Sequence, residues 1–173
     1  MLNVRRALLL PSLLALLSAP VLAAETVHLT LESDTLGVIP GDSPQTSLGR
    51  ANTITCVLFR FSMRATPSSV VAGTVTCRKP LDRATPLLLQ SLINRHQMTM
   101  TARFYRPNPT GDGSTQQHFT VVGTLGSIVG IKQLTPDQYT QPLLPDFEEI
   151  SFQFNALTFS WFGGGEAAWE SAR

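Results

Sequence analysis

The sequence predicts a mainly β protein, a small antiparallel β-barrel or sandwich with one short flanking α-helix. Three observations carry that prediction. From Met98 the pattern has period two, with Met98, Met100, Ala102 and Phe104 on one face and Thr99, Thr101, Arg103 and Tyr105 on the other, as a half-buried strand requires. Helical spacing occurs only through Leu88, Leu89 and Leu92, one short apolar face that must lie against something. Pro107, Pro109, Gly111 and Gly113 then end the strand, because proline lacks a ladder donor and glycine permits positive φ.

The 173 residues, less a leader, suffice for one domain with a core. A hydrophobic content of 43% and a charged fraction of 14% fit a globular chain rather than a disordered one. A net charge of +1 argues against a dedicated nucleic-acid binder. The cations are scattered, with no aromatic interleaving, and read as solvated surface charge.

Residues 1–24 have the form of a secretory signal peptide, which leaves 25–173 as the domain. Arg5 and Arg6 supply the positive end, Ala7 to Leu17 the apolar run, and small residues near Ala23 and Ala24 the cleavage site. The run is short and broken by Pro20, which disfavours an uncleaved membrane anchor. No cysteine follows it to mark a lipoprotein.

Thr26 to Leu31 alternates as a first strand, with Val27, Leu29 and Leu31 on one face, and Gly37 to Gly49 is a loop rich in turn formers. Thr53 to Met63 is apolar on both faces, which places it centrally in a core or under a neighbouring copy. Val70 to Arg78 returns after the turn at Thr66-Pro67-Ser68-Ser69. If the hairpin turns about Thr66-Pro67, Cys56 and Cys77 stand opposite one another at a separation a disulfide accepts. An exported chain meets an oxidising compartment. A one-residue slip would instead put the two on opposite faces, so a bonded pair and two reduced, buried thiols both remain open.

Thr85 is placed to cap the helix, with Pro86 at its first position. His118 to Leu125 and Ser127 to Gln133 read as two strands with bends at Gly123, Gly126 and Gly130. A proline-punctuated loop, 135–146, leads to a last strand from Phe147 to Phe162. Its apolar phase switches from Ile150, Phe152 and Phe154 to Leu157, Phe159 and Trp161, so a β-bulge is expected near Asn155 or Ala156. The end, 163–173, reads as a loose tail that Trp169 could anchor.

No catalytic constellation emerges, so the chain is read as not an enzyme, without cofactor or metal. His28, His96 and His118 lack metal-ligand spacing, and the cysteines are not a C-x-x-C pair. Glu148 and Glu149 are adjacent, point to opposite faces of a strand and cannot cooperate as acid and base. There is no G-x-S-x-G, Gly163-Gly164-Gly165 opens no apolar helix, and TGDG around Asp112 lacks the further carboxylates calcium needs. Apolar strand surface on two faces without an active site favours a protein whose work is assembly.

LDRATPLLLQSLIN, followed by FYRPNPTGDGSTQQHFTV and later by LLPDFEEISFQFNALTFSW with GGG and Trp169, resembles the Hcp (haemolysin-coregulated protein) family, the tube subunits of bacterial type VI secretion. The similarity runs from Thr26 to Trp169. It implies a β-barrel with a flanking helix, six-membered rings stacked into a tube, a lumen that carries effectors, partnership with a spike protein and a sheath, and secretion from the cell. The Arg103/Tyr105 face is a candidate exposed or lumenal wall. Two features depart from the family pattern. Its members lack such a leader, so this chain is either an exported, specialised form, periplasmic if the leader is used, or a tube subunit with its start placed too far upstream. The connection from Arg64 to Val70 is also short where the family carries an extended loop for ring-to-ring contact, which bears on stacking more than on ring closure. The rival reading from another class is a secreted small-barrel module holding an apolar ligand inside.

Overall fold

Alternation in 98–107 places Met98, Met100 and Ala102 in the interior, and the strands on either side are recruited to cover that face. The computed structural model describes residues 25–136 and 145–171; the leader, its cleavage site at Ala23 and Ala24, and part of the 135–146 loop lie outside the described residues. Strand β1 (Thr26–Ser33) runs antiparallel to β8 (Met98–Pro107) over its whole length, Thr26 opposite Tyr105 and Ser33 opposite Met98. The other edge of β1 is shared: β2 (Gly37–Ile39) takes its end and β3 (Ile54–Cys56) its beginning. Part of the expected loop from Gly37 is thus a short strand, fixed by burial of Ile39.

The two-faced apolar stretch from Thr53 is broken into pieces. β3 pairs with β1, β4 (Leu58–Arg60) pairs with β7 (Val75–Pro80), and β5 (Met63–Ala65) forms a separate hairpin with β6 (Val70–Ala72). The Thr66 N–H donates to Ser69 O at 2.7 Å and closes the hairpin turn. Cys77 therefore stands opposite Phe59, and Cys56 opposite Val27 of β1, so the register expected about Thr66-Pro67 is not the one adopted. Cys56 and Cys77 are nonetheless joined by a disulfide, their Cα atoms 5.7 Å apart. They meet because the chain passes from β1 to β7 at Val57, whose N–H donates to Arg78 O at 2.8 Å, one residue from Cys56.

Strand β9 (Thr115–Leu134) is one strand of 20 residues rather than two. Its first half lies between β8 and β11 (Ala156–Trp161), its second half against β10 (Phe147–Gln153). The turn of direction falls at Leu125, which has φ 52°, beside the gap between β10 and β11. Phe154 fills this corner with its ring against Gly123 and Gly126, where no side chain would fit. Phe154 and Leu157 are both buried, so the interruption between Gln153 and Ala156 restores one apolar face, as a bulge would. A second irregularity leaves Val129 as the extra residue opposite Ser151 and Phe152.

The order β2-β1-β8-β9-β10-β7-β4 is a single antiparallel path. It is not a closed ring of hydrogen bonds. The continuous run 54–60 spans from β1 to β7 and completes the wall, with the disulfide across the same seam. Leu29, Leu31, Met100, Val121, Phe152 and Leu157 fill the interior.

Helix α1 (Thr85–Asn94) covers the wall through Leu88, with Leu87 and Leu92 half-buried beside it. Thr85 does not cap it. Ala84 occupies that position, its N–H bonded to Asp82 Oδ1 at 2.9 Å, while the Thr85 hydroxyl is turned to Glu148 Oε1 at 2.8 Å. The expected loose tail is a strand, β12 (Glu166–Glu170), paired with β11. Gly163, Gly164 and Gly165, with φ of 101°, 125° and 99°, make the reversal that side chains would oppose. The Trp169 Nε1–H donates to Val70 O at 2.9 Å and ties β12 to the β5–β6 hairpin.

Candidate assembly surface

Alternation along β8, β9 and β11 sends aromatic side chains inward at the place where β8 and β11 end and β9 begins. Phe104 and Phe119 are ladder partners with ring centroids 5.3 Å apart. Phe159 stacks on Phe119 at 6.5 Å and Trp161 packs beside it at 6.2 Å. From the other side Phe59 meets Phe104 edge-on at 5.3 Å, and Phe61 meets Phe159 at 5.0 Å. The cluster is continuous but incompletely covered: Phe61 is 41% exposed and Trp161 49%, and Phe162, the next residue in the chain, is 71% exposed. Arg106 lies over the Trp161 ring at 5.5 Å, and His118 packs edge-on against the same ring at 5.5 Å. Burial, then the Arg106 charge, lowers the His118 pKa, which favours the neutral ring. Val57, Met63, Val70 and Val71 extend the exposed apolar surface along β4 and the β5–β6 hairpin. Exposed aromatics with an arginine are the composition of a protein interface core.

The other face of β8 is not the exposed wall expected for Arg103 and Tyr105. Tyr105 does point outward with Arg103 and His28, but the segment 43–53 lies over it. Its hydroxyl donates to Leu48 O at 2.9 Å, and the Arg50 guanidinium stacks on its ring at 4.9 Å. Burial raises the Tyr105 pKa. Arg103 reaches Thr30 Oγ1 at 3.3 Å. His28, read as an ordinary strand histidine, is buried beside them with its pKa pushed down to about 4, by burial first and the Arg50 charge second.

The ionisable residues that come together are structural. Lys79 and Glu148, fully buried ladder partners on β7 and β10, meet at 2.6 Å, and Lys79 Nζ also bonds Asp82 Oδ1 at 2.7 Å and Pro80 O at 2.9 Å. Lys79 is an exception to the solvated surface charge read from sequence. Glu149, on the opposite face as alternation requires, takes Arg78 at 3.4 Å and Arg60 at 3.5 Å. Among the described residues no group of His, Cys, Asp and Glu is placed to hold a metal ion. The TGDG turn is closed on itself: the Ser114 N–H donates to Asp112 Oδ1 at 2.8 Å, and bonds with Ser114 lower the Asp112 pKa.

The aromatic cluster was hidden in the sequence because Phe59, Phe104, Phe119 and Phe159 lie on four strands. Only the period-two placement of each on an inward face hinted at a shared location.

Known structures show the same architecture. Secreted protein Hcp3 from Pseudomonas aeruginosa superposes with a TM-score of 0.72 at 18% identity, over 87% of this chain and 100% of that one. A doubly mutated Hcp1 from the E. coli EAEC 042 pathovar gives 0.71 at 13% identity over 84% and 98%. Hcp1 from Salmonella typhimurium gives 0.67 at 15% over 85% and 95%. Such identities establish the fold alone. No curated protein sequence matches the chain. The family model described as "Type VI secretion system effector, Hcp" matches residues 29–161, from inside β1 to the end of β11. With that match spanning well over half its length, the chain belongs to the Hcp family of type VI secretion.

Proposed function

We propose that copies of this chain associate as six-membered rings through the aromatic cluster and the apolar strand surface beside it, and that the rings serve as tube elements of type VI secretion with effectors carried in the lumen. The observation that supports this most is the exposure of Phe61 and Trp161 within one continuous aromatic group, with exposed Phe162 next to Trp161 in the chain, surface that a second copy would remove from water. The interior is filled by side chains such as Met100 and Phe152, which weighs against a module that holds an apolar ligand inside. Spike, sheath and effectors are the partners this reading requires.

The short Thr66–Ser69 turn favours a second reading, in which the chain is exported and works as rings or single copies without tubes. In that reading residues 1–24 are a leader removed near Ala23 or Ala24. Light scattering on chain beginning at Glu25 tests assembly: six times the subunit mass is expected. A single-copy mass at high concentration, in low and high salt alike, overturns it. Electron microscopy of the assembled material separates rings from tubes. N-terminal sequencing of protein from the native host decides the leader.

A further inference from the structure

The wall has one seam, and one covalent bond crosses it. The run 54–60 pairs with β1 through β3 and with β7 through β4, with Val57 between them. Each half has only three ladder positions, at the short end of the range for strands. The disulfide ties Cys56, the last residue of β3, to Cys77 within β7. Cys77 is also the ladder partner of Phe59, which carries the aromatic group through Phe104 and leads into Phe61. Seam and assembly surface are therefore two sides of the same three residues.

We propose that the Cys56–Cys77 pair is a redox gate on the aromatic surface. With the bond formed, β4 is held on β7 and Phe59 and Phe61 complete the cluster. With two thiols, the seam opens and the cluster loses that side. Closure is thiol–disulfide exchange: the two thiols reduce a disulfide-bearing catalyst or small-molecule disulfide of an oxidising compartment. One S–S bond forms in this chain, one breaks in the oxidant, and the two protons leave with the resulting dithiol. Both cysteines are buried, so reduction of the closed form proceeds through opening of the seam. The link to assembly rests on the ring reading above, and closure of the gate rests on export to an oxidising compartment.

Chain beginning at Glu25 is compared oxidised, reduced by a water-soluble phosphine without air, and as Cys56→Ala/Cys77→Ala, by hydrogen exchange with mass spectrometry and by light scattering. Amides of 54–61 and 75–78 are expected to exchange about 100-fold faster without the bond, the order of the loop-closure contribution of such a link, a larger loss of protection than in 98–107. No change at 54–61, or an equal loss in every strand, overturns the gate. If the alanine variant does not fold, the reduced chain carries the comparison, since it differs only in the bond. Two free thiols in denatured protein taken from the native host would also overturn it. A single-copy mass for the oxidised chain defeats the ring reading and leaves exchange to judge the gate.

Discussion

Lys79 Nζ and Glu148 Oε1 lie 2.6 Å apart with both side chains fully removed from solvent. They continue the inward-facing rows of β7 and β10, where Cys77 and Ile150 are the adjacent inward-facing ladder partners. Glu148 Oε2 is buried without a partner, so the carboxylate depends on Lys79 and Thr85 for its compensation. Removing either member of a buried pair strands the other charge, which costs about 3–5 kcal/mol. Lys79→Met should lower stability by that order; Glu148→Leu, which leaves Lys79 its bond to Asp82 Oδ1 at 2.7 Å, should lower it by less, and the double variant should recover most of the loss. Urea unfolding of the three variants checks this, and Lys79→Met within about 1 kcal/mol of the parent would refute it.

His28 makes stability fall in mild acid. The Thr53 hydroxyl donates to Arg50 O at 2.7 Å, so the 2.9 Å contact with His28 must be donated by Nδ1. Nε2 is then the unprotonated nitrogen, buried and without a partner. The native state resists a proton that the unfolded chain accepts at its ordinary value of 6.5, down to about 4. Stability is complete above 6.5 and declines as pH falls through that window, by at most about 3 kcal/mol. His118, also lowered, acts in the same direction. Urea midpoints at about pH 7 and about pH 4.5 span most of that window and measure most of the drop, and His28→Gln should flatten it in part. A parent midpoint unchanged between the two pH values would refute the assignment.

Phe154 sets a test of the corner. A Cβ on Gly123 would stand 2.7 Å from the Phe154 ring, whereas one on Gly130 meets nothing within 4 Å. Gly123→Ala should cost about 1–3 kcal/mol as overpacking, and Gly130→Ala should be near neutral. Adding Phe154→Leu to Gly123→Ala should cost less than the two losses summed, because the smaller side chain relieves the clash that the alanine creates. Denaturant unfolding reads all four chains; equal effects of the two alanines would count against the corner.

The sequence made the alternating strands and the covering helix legible because period and turn chemistry are local. Alternation correctly separated Glu148 from Glu149, yet it carried no sign of which faced the core, since that depends on Lys79, 69 positions away in the chain. Tyr105 shows the same limit: its face was right, and its burial was decided by the distant segment at Leu48 and Arg50. The cysteine pairing was drawn from a symmetric hairpin, whereas the real hairpin closes at Thr66–Ser69 and the strand changes partner at Val57. Thr85 looked like a cap because its neighbours are those of a cap, and Glu148 competes for its hydroxyl from β10.

Trp161 separates assembly from folding. Its ring is about half exposed, contacts Phe119 and His118, and carries Arg106 on its face. Truncation of a surface aromatic of this kind changes a monomer little, while loss of an interface anchor commonly costs about 2 kcal/mol or more, which is roughly thirtyfold in each contact's equilibrium. A ring repeats the contact around its circumference, so the loss is multiplied. Trp161→Ala should therefore shift the light-scattering mass toward the single copy at concentrations where the parent is assembled, with its thermal midpoint as a dilute monomer nearly unchanged. Phe162→Ala, from the more exposed neighbour, should act in the same direction. Assembly undiminished in both variants would move the interface away from this end of β11.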